Sequence, residues 1–150
     1  MIVVIYGQPH SGKTTLAKEL CEGIDPLRFP VNIDGDKLRS LFNNKDFSRE
    51  GRIKNLNRAS DIAVFLNSIG HDPVLSLVYP YKETRDYLNS LCDDVKWIFL
   101  TYHEIRGREK FHVEDFEEPE NESYLHLPTS EMTKDNCLNS IKEYIKKNPL

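Results

Sequence analysis

The 150-residue chain has few cysteines, no long apolar run and no excess of positive charge. Each shortage narrows what the protein can be. No stretch approaches the roughly 20 apolar residues that a membrane-spanning helix needs, so no membrane partner is expected. Residues 2–6 already read as a strand, which leaves no room for a signal peptide and points to the cytoplasm. Cys21, Cys92 and Cys137 lie far apart, each in a segment expected to be helical, and form no C-x-x-C pair. They read as buried, reduced thiols. A net charge of −4 gives no global attraction to nucleic acid, although a local basic groove stays open. There are no internal repeats and no low-complexity tract. The length fits one domain, residues 1–150, with a core of its own.

Glycine is also sparse, seven residues in all, yet two of them fall within GQPHSGKTT, residues 7–15. The stretch fits G-x-x-x-x-G-K-[ST] through Gly7, Gly12, Lys13 and Thr14. Before it, MIVVIY is a continuous run suited to a buried parallel strand. After it, Leu16 and Leu20 stand at i and i+4, a helical spacing. Strand, glycine loop and helix together make a phosphate cradle of loop N–H groups and a helix N-terminus. The expected nucleotide site is Gly7, Gln8, Pro9, His10, Ser11, Gly12, Lys13, Thr14 and Thr15. Lys13 is expected to reach the β- and γ-phosphates and act in transfer, with the Thr14 hydroxyl on Mg²⁺.

Five apolar runs read as strands: 2–6, 29–33, 73–78, 95–100 and 124–127. Helical stretches separate the first four. The clearest is 49–70, where Ile53, Leu56, Ala59, Ala63 and Leu66 trace one apolar stripe closed by Gly70. A last helix within 129–147 has Thr129 or Ser130 as its N-cap candidate and lysines in its final turns. Alternating strands and helices predict an α/β fold of three layers, a five-stranded parallel sheet flanked by helices. Residues 102–122 are polar, charged and aromatic at once, a long irregular segment of the kind that is functional or disordered.

In such sheets the site lies beyond the carboxyl ends of the strands. DGDKLR, residues 34–39, follows the second strand and brings two carboxylates beside the phosphate loop. Asp36 is the candidate base for an acceptor hydroxyl, and Asp34 is a candidate Mg²⁺ ligand, directly or through water. Alternatively, one of the pair caps the following helix. Arg52 and Asn55 are three apart on one helical face and, with Arg39, make a candidate anion clamp. Taken singly, each also reads as a solvated surface residue. Phe47 and Phe111 are placed to stack on a base, or to plug the space under loops.

These residues resemble the adenylylsulfate (APS) kinase family of P-loop kinases. The resemblance runs through GQPHSGKTT, DGDKLR, FSREGRIKN, SLVYPYKETR, FHVEDFEEP and LPTSE. It implies the P-loop kinase fold, Mg²⁺, ATP as co-substrate, and transfer of the γ-phosphate to the 3′-hydroxyl of adenosine 5′-phosphosulfate. It also implies a substrate set of Arg39, Phe47, Arg52, Asn55, Val78 and Phe111, catalysis through Asp36 and Lys13, and a possible homodimer. The chain departs from the family at Lys37 (Asn there), Gly51 (Asp), Lys54 (Glu), Tyr79 (Ser) and Lys82 (Arg). The family's long lid is much shortened, leaving YHEIRGREK between Thr101 and Phe111. Either Arg106, Arg108 and Lys110 substitute for it, or the site is more open. An open site keeps a second expectation alive, a P-loop kinase acting on a hydroxyl of a nucleotide or nucleic acid, such as a 5′-end or a hydroxymethylated base. Intact Lys13, Thr14 and Asp36 argue against a non-catalytic nucleotide binder.

Overall fold

A computed structural model describes residues 1–9, 11–23, 25–102 and 112–147. Its elements are β1 (Ile2–Tyr6), α1 (Lys13–Glu22), β2 (Val31–Asp34), α2 (Gly35–Leu41), α3 (Arg49–Ser68), β3 (Pro73–Ser76), α4 (Lys82–Leu91), β4 (Val95–Thr101), β5 (Leu125–Pro128) and α5 (Lys134–Lys147). The five strands form one sheet in the order β2-β3-β1-β4-β5. Every pairing is parallel, as expected of strands joined by crossovers of a dozen or more residues.

The unbroken apolar runs follow from cover on both faces of the sheet. Ile2, Val4 and Tyr6 of β1 meet Leu56, Ala59 and Ala63 of α3 and Leu88 of α4. Val3 and Ile5 meet Leu16, Ala17 and Leu20 of α1 and Ile141 and Ile145 of α5. The α3 stripe is narrower than its spacing suggests. Leu56, Ala59 and Ala63 are buried, whereas Ile53 and Leu66 are half-covered at its ends. Only Cys137 of the three thiols is fully buried; Cys21 and Cys92 are partly open, and Cys92 lies just past α4.

Several boundaries differ from the sequence reading, three of them for a plain local reason. β2 starts at Val31, because Phe29 turns through φ 43° and Pro30 has no N–H to donate to a ladder. β3 ends at Ser76, opposite Asp34, where its neighbour β2 turns into α2. Helix α5 starts at Lys134. Its cap is Thr133, whose Oγ1 accepts from the Asn136 N–H at 3.1 Å. Thr129 is used elsewhere: its hydroxyl donates to the Ser11 carbonyl at 2.9 Å and so braces the phosphate loop.

Candidate active site

The loop after β1 owes its path to two glycines. Gly7 has φ 143°, and a Cβ there would collide with the Leu100 carbonyl of β4. Gly12 has φ 100° at the N-cap of α1, a left-handed position that costs glycine little. Lys13, the first residue of α1, folds back over the loop. Its ammonium donates to the Gln8 carbonyl at 2.8 Å and lies 3.5 Å from the Ser11 hydroxyl.

β2 delivers its carboxylates to the same place. Asp34 caps α2, with Oδ2 accepting from the Lys37 N–H at 3.2 Å, and its Oδ1 accepts from the Thr14 hydroxyl at 3.4 Å. The capping alternative therefore falls on Asp34, which faces Thr14 as well. Asp36, in the first turn of α2, is exposed and lines the cleft beside them.

That cleft has a volume of about 630 Å³. It brings together Pro9, Lys13 and Thr14 of the phosphate loop, Asp34 and Asp36, and Arg39, Phe47, Arg52, Asn55 and Val78. Gly7, Gln8, Ser11, Gly12 and Thr15 shape the loop without lining the cleft. His10 and Phe111 lie outside the described residues, as do Arg106, Arg108 and Lys110. Gly35, Leu56, Ser76, Leu77, Pro80 and Val113 complete the wall and were not singled out from the sequence. Ser76, Leu77 and Pro80 bracket Val78 at the end of β3, where the strand-end rule and the SLVYPYKETR resemblance pointed without assigning them a role. Val113 falls within FHVEDFEEP, a segment of the family resemblance, but had no role assigned to it.

The groups around Arg39, Arg52 and Asn55 differ in their commitments. Nη1 of Arg39 donates to the Asp46 carbonyl at 3.0 Å and to the Asn44 carbonyl at 3.3 Å. Its guanidinium sits 4.2 Å from the Phe47 ring centre. Burial first, and then the charge of Arg52, lower its pKa from the ordinary arginine range. Arg39 thus holds the 44–47 loop and backs one face of Phe47. Arg52 is half-buried, with no ion pair among the described residues. Asn55 is 4% exposed, and its Oδ1 has no hydrogen-bond partner among them. A buried acceptor of this kind costs about 1–3 kcal/mol unless a ligand or water satisfies it.

Two departures from the APS kinase pattern now have local reasons. Gly51 packs the start of α3 onto Asp46, and a Cβ there would run into the Asp46 backbone. Tyr79 points into the core, where its hydroxyl is 3.0 Å from that of Ser60, and burial raises its pKa above the ordinary phenol range.

The segment 112–122 brings Val113 to the cleft wall, and two arginines seat it. Arg49 of α3 lies over the Tyr81 ring and pairs with Glu83 at 2.5 Å and Glu117 at 3.5 Å. Arg85 of α4 is 1% exposed. It donates to the Tyr79 and Glu117 carbonyls, each at 2.8 Å, and to Glu122 at 3.0 and 3.2 Å.

A family profile described as adenylylsulphate kinase matches residues 1–110. A probable adenylyl-sulfate kinase of Aeropyrum pernix is 32% identical over 102 residues, 67% of this chain and 56% of the relative. A cytidine diphosphoramidate kinase of Campylobacter jejuni is 31% identical over 113 residues, 73% of this chain and 66% of the relative. The chain spans about half the length of the adenylyl-sulfate kinases it matches. In fold it is similar to the Mycobacterium tuberculosis APS kinase solved with AMPPNP and APS. That likeness has a TM-score of 0.81 at 20% identity and covers 97% of this chain and 96% of the other. Among the described residues no helix is long and apolar enough to cross a membrane.

Proposed function

This chain belongs to the adenylylsulphate kinase family, and we propose that it transfers the γ-phosphate of ATP to the 3′-hydroxyl of adenosine 5′-phosphosulfate. The observation that carries this reading is the shared cleft. Lys13 and Thr14 of the phosphate loop, Asp36, and the set Phe47, Arg52 and Asn55 all line one space of about 630 Å³.

In this reading Lys13 exchanges the Gln8 carbonyl for phosphate oxygens, a stronger, charge-assisted partner. Thr14 and Asp34 offer a hydroxyl and a carboxylate, 3.4 Å apart, as hard oxygen ligands that suit Mg²⁺. Among the described residues no group of three or more His, Cys, Asp or Glu could build a metal cage. That fits an ion held largely by substrate phosphates. Bound there, Mg²⁺ would neutralise charge on the transferring phosphoryl group. Asp36 orients the acceptor hydroxyl and takes its proton. Arg52 pairs with the acceptor's anionic group, the Asn55 Oδ1 accepts a hydrogen bond from an N–H or O–H of the acceptor, and Phe47 stacks on its base with Arg39 behind.

A second reading keeps the chemistry and changes the acceptor to another nucleotide. The similarity to the C. jejuni relative favours it. Nucleic acid fits less well, because residues 114–122 carry six carboxylates next to Val113 on the cleft wall. The test is γ-labelled ATP with Mg²⁺, offered in parallel to APS, to cytidine and adenosine nucleotides, and to oligonucleotides. Label in APS supports the first reading. Label only in another nucleotide moves the acceptor to the second, and label in no acceptor contradicts both.

A further inference from the structure

Gln8 lies in the phosphate loop, yet its side chain is spent elsewhere. Its Nε2 donates to the Val113 carbonyl at 2.7 Å, and its Oε1 accepts from the Val113 N–H at 3.0 Å. This is the two-point pairing that one strand offers another, made here by a side chain to a residue 105 positions away. Val113 is 2% exposed and forms part of the cleft wall. The segment beyond it is tied down at its other end. The Glu117 N–H donates to the carbonyl of Pro80, another wall residue, at 2.7 Å, and the Glu117 carboxylate accepts from the Lys82 N–H at 2.9 Å.

The main chain of the same glutamine is the acceptor for Lys13, at 2.8 Å. Phosphate oxygens are stronger partners for an ammonium than a neutral carbonyl. Phosphate binding therefore withdraws Lys13 from Gln8 and resets the constraints on this one residue. Its side chain is already bonded to Val113, whose segment is held at Pro80, two residues past Val78 of the expected substrate set.

We propose that Gln8 is a positioning residue that couples occupation of the phosphate loop to the acceptor side of the cleft through Val113. The proposal rests on the reading that the loop binds ATP, and not on which acceptor is used. Such coupling is reciprocal: nucleotide alters the wall that the acceptor meets, and acceptor alters nucleotide affinity by the same factor.

The Val113 amide is the reporter, because its N–H is one of the two bonds. Hydrogen exchange of residues 112–118 is measured with and without a non-hydrolysable ATP analogue and Mg²⁺, with analogue binding followed by calorimetry in the same samples. In the native protein, saturating analogue is expected to slow Val113 exchange by at least about fivefold, the low end of ordinary coupling. Gln8→Leu removes both bonds at similar size. In it the amide should exchange fast and stay insensitive to analogue at saturation. Gln8→Glu keeps the acceptor for the Val113 N–H and should retain an intermediate response, which guards against a variant that fails to fold. Native exchange that ignores bound analogue overturns the proposal while leaving phosphate transfer intact. A full response in Gln8→Leu also overturns it. No binding of the analogue to native protein is failure of the ATP reading, and removes the coupling with it.

Discussion

Replacing Arg85 with methionine tests how the segment 112–122 is held. The side chain is 1% exposed and makes four hydrogen bonds, two to main-chain carbonyls and two to the Glu122 carboxylate. Methionine fills much of the volume but supplies none of the donors. The Tyr79 and Glu117 carbonyls lose their arginine donor, and Glu122, with its side chain 16% exposed, keeps an unpaired charge. Breaking a buried pair in this way costs about 3–5 kcal/mol. At roughly 2–4 °C per kcal/mol for a chain of this size, the melting temperature should fall by about 6–20 °C. Calorimetric or fluorescence melts measure it. Arg85→Lys keeps the charge without the planar fork and should fall between. A fall of under about 1 °C in Arg85→Met would refute the reasoning, because the network would then contribute nothing.

Other substitutions separate the roles of the cleft residues. Lys13→Ala should lower transfer by at least about 10²-fold through lost charge stabilisation, read by labelled-phosphate assay. Asp36→Asn should cut turnover far more than ATP affinity; equal loss of both would make it a metal-site residue. Arg52→Ala should raise the acceptor KM by about 10–150-fold, the value of a charge-assisted hydrogen bond, with kcat little changed. An unmoved KM would return Arg52 to the surface. Gly51→Ala forces a Cβ against the Asp46 backbone and should cost roughly 1–3 kcal/mol, seen as a lower melting temperature.

The sheet was legible in the sequence because buried parallel strands tend to be continuously apolar, and IVVIY and, apart from Lys96, VKWIFL carry no other pattern. Strand ends were less legible, because they depend on neighbours. β3 stops where β2 turns away, and no residue of SLV encodes that. The helix cap moved from Thr129 or Ser130 to Thr133 for a similar reason: Thr129 is held by Ser11, 118 positions away. Local spacing placed Lys13, Thr14 and the two aspartates at strand ends, where the structure brings them to one cleft. It could not show that Arg39 is engaged by its own loop while Arg52 has no ion pair among the described residues. Nor could it show the reach of Gln8 to Val113, or the burial of Arg85 beneath an acidic segment. These are contacts between residues far apart in the chain, chosen by the closed fold rather than by any periodicity.

In the proposed function one cleft seats donor and acceptor together. Calorimetric titration of APS into protein already saturated with a non-hydrolysable ATP analogue and Mg²⁺ tests it most directly. Saturable 1:1 binding is expected, with the analogue retained and the affinity weakened in Arg52→Ala. Displacement of the analogue by APS, or binding indifferent to Arg52, would contradict it.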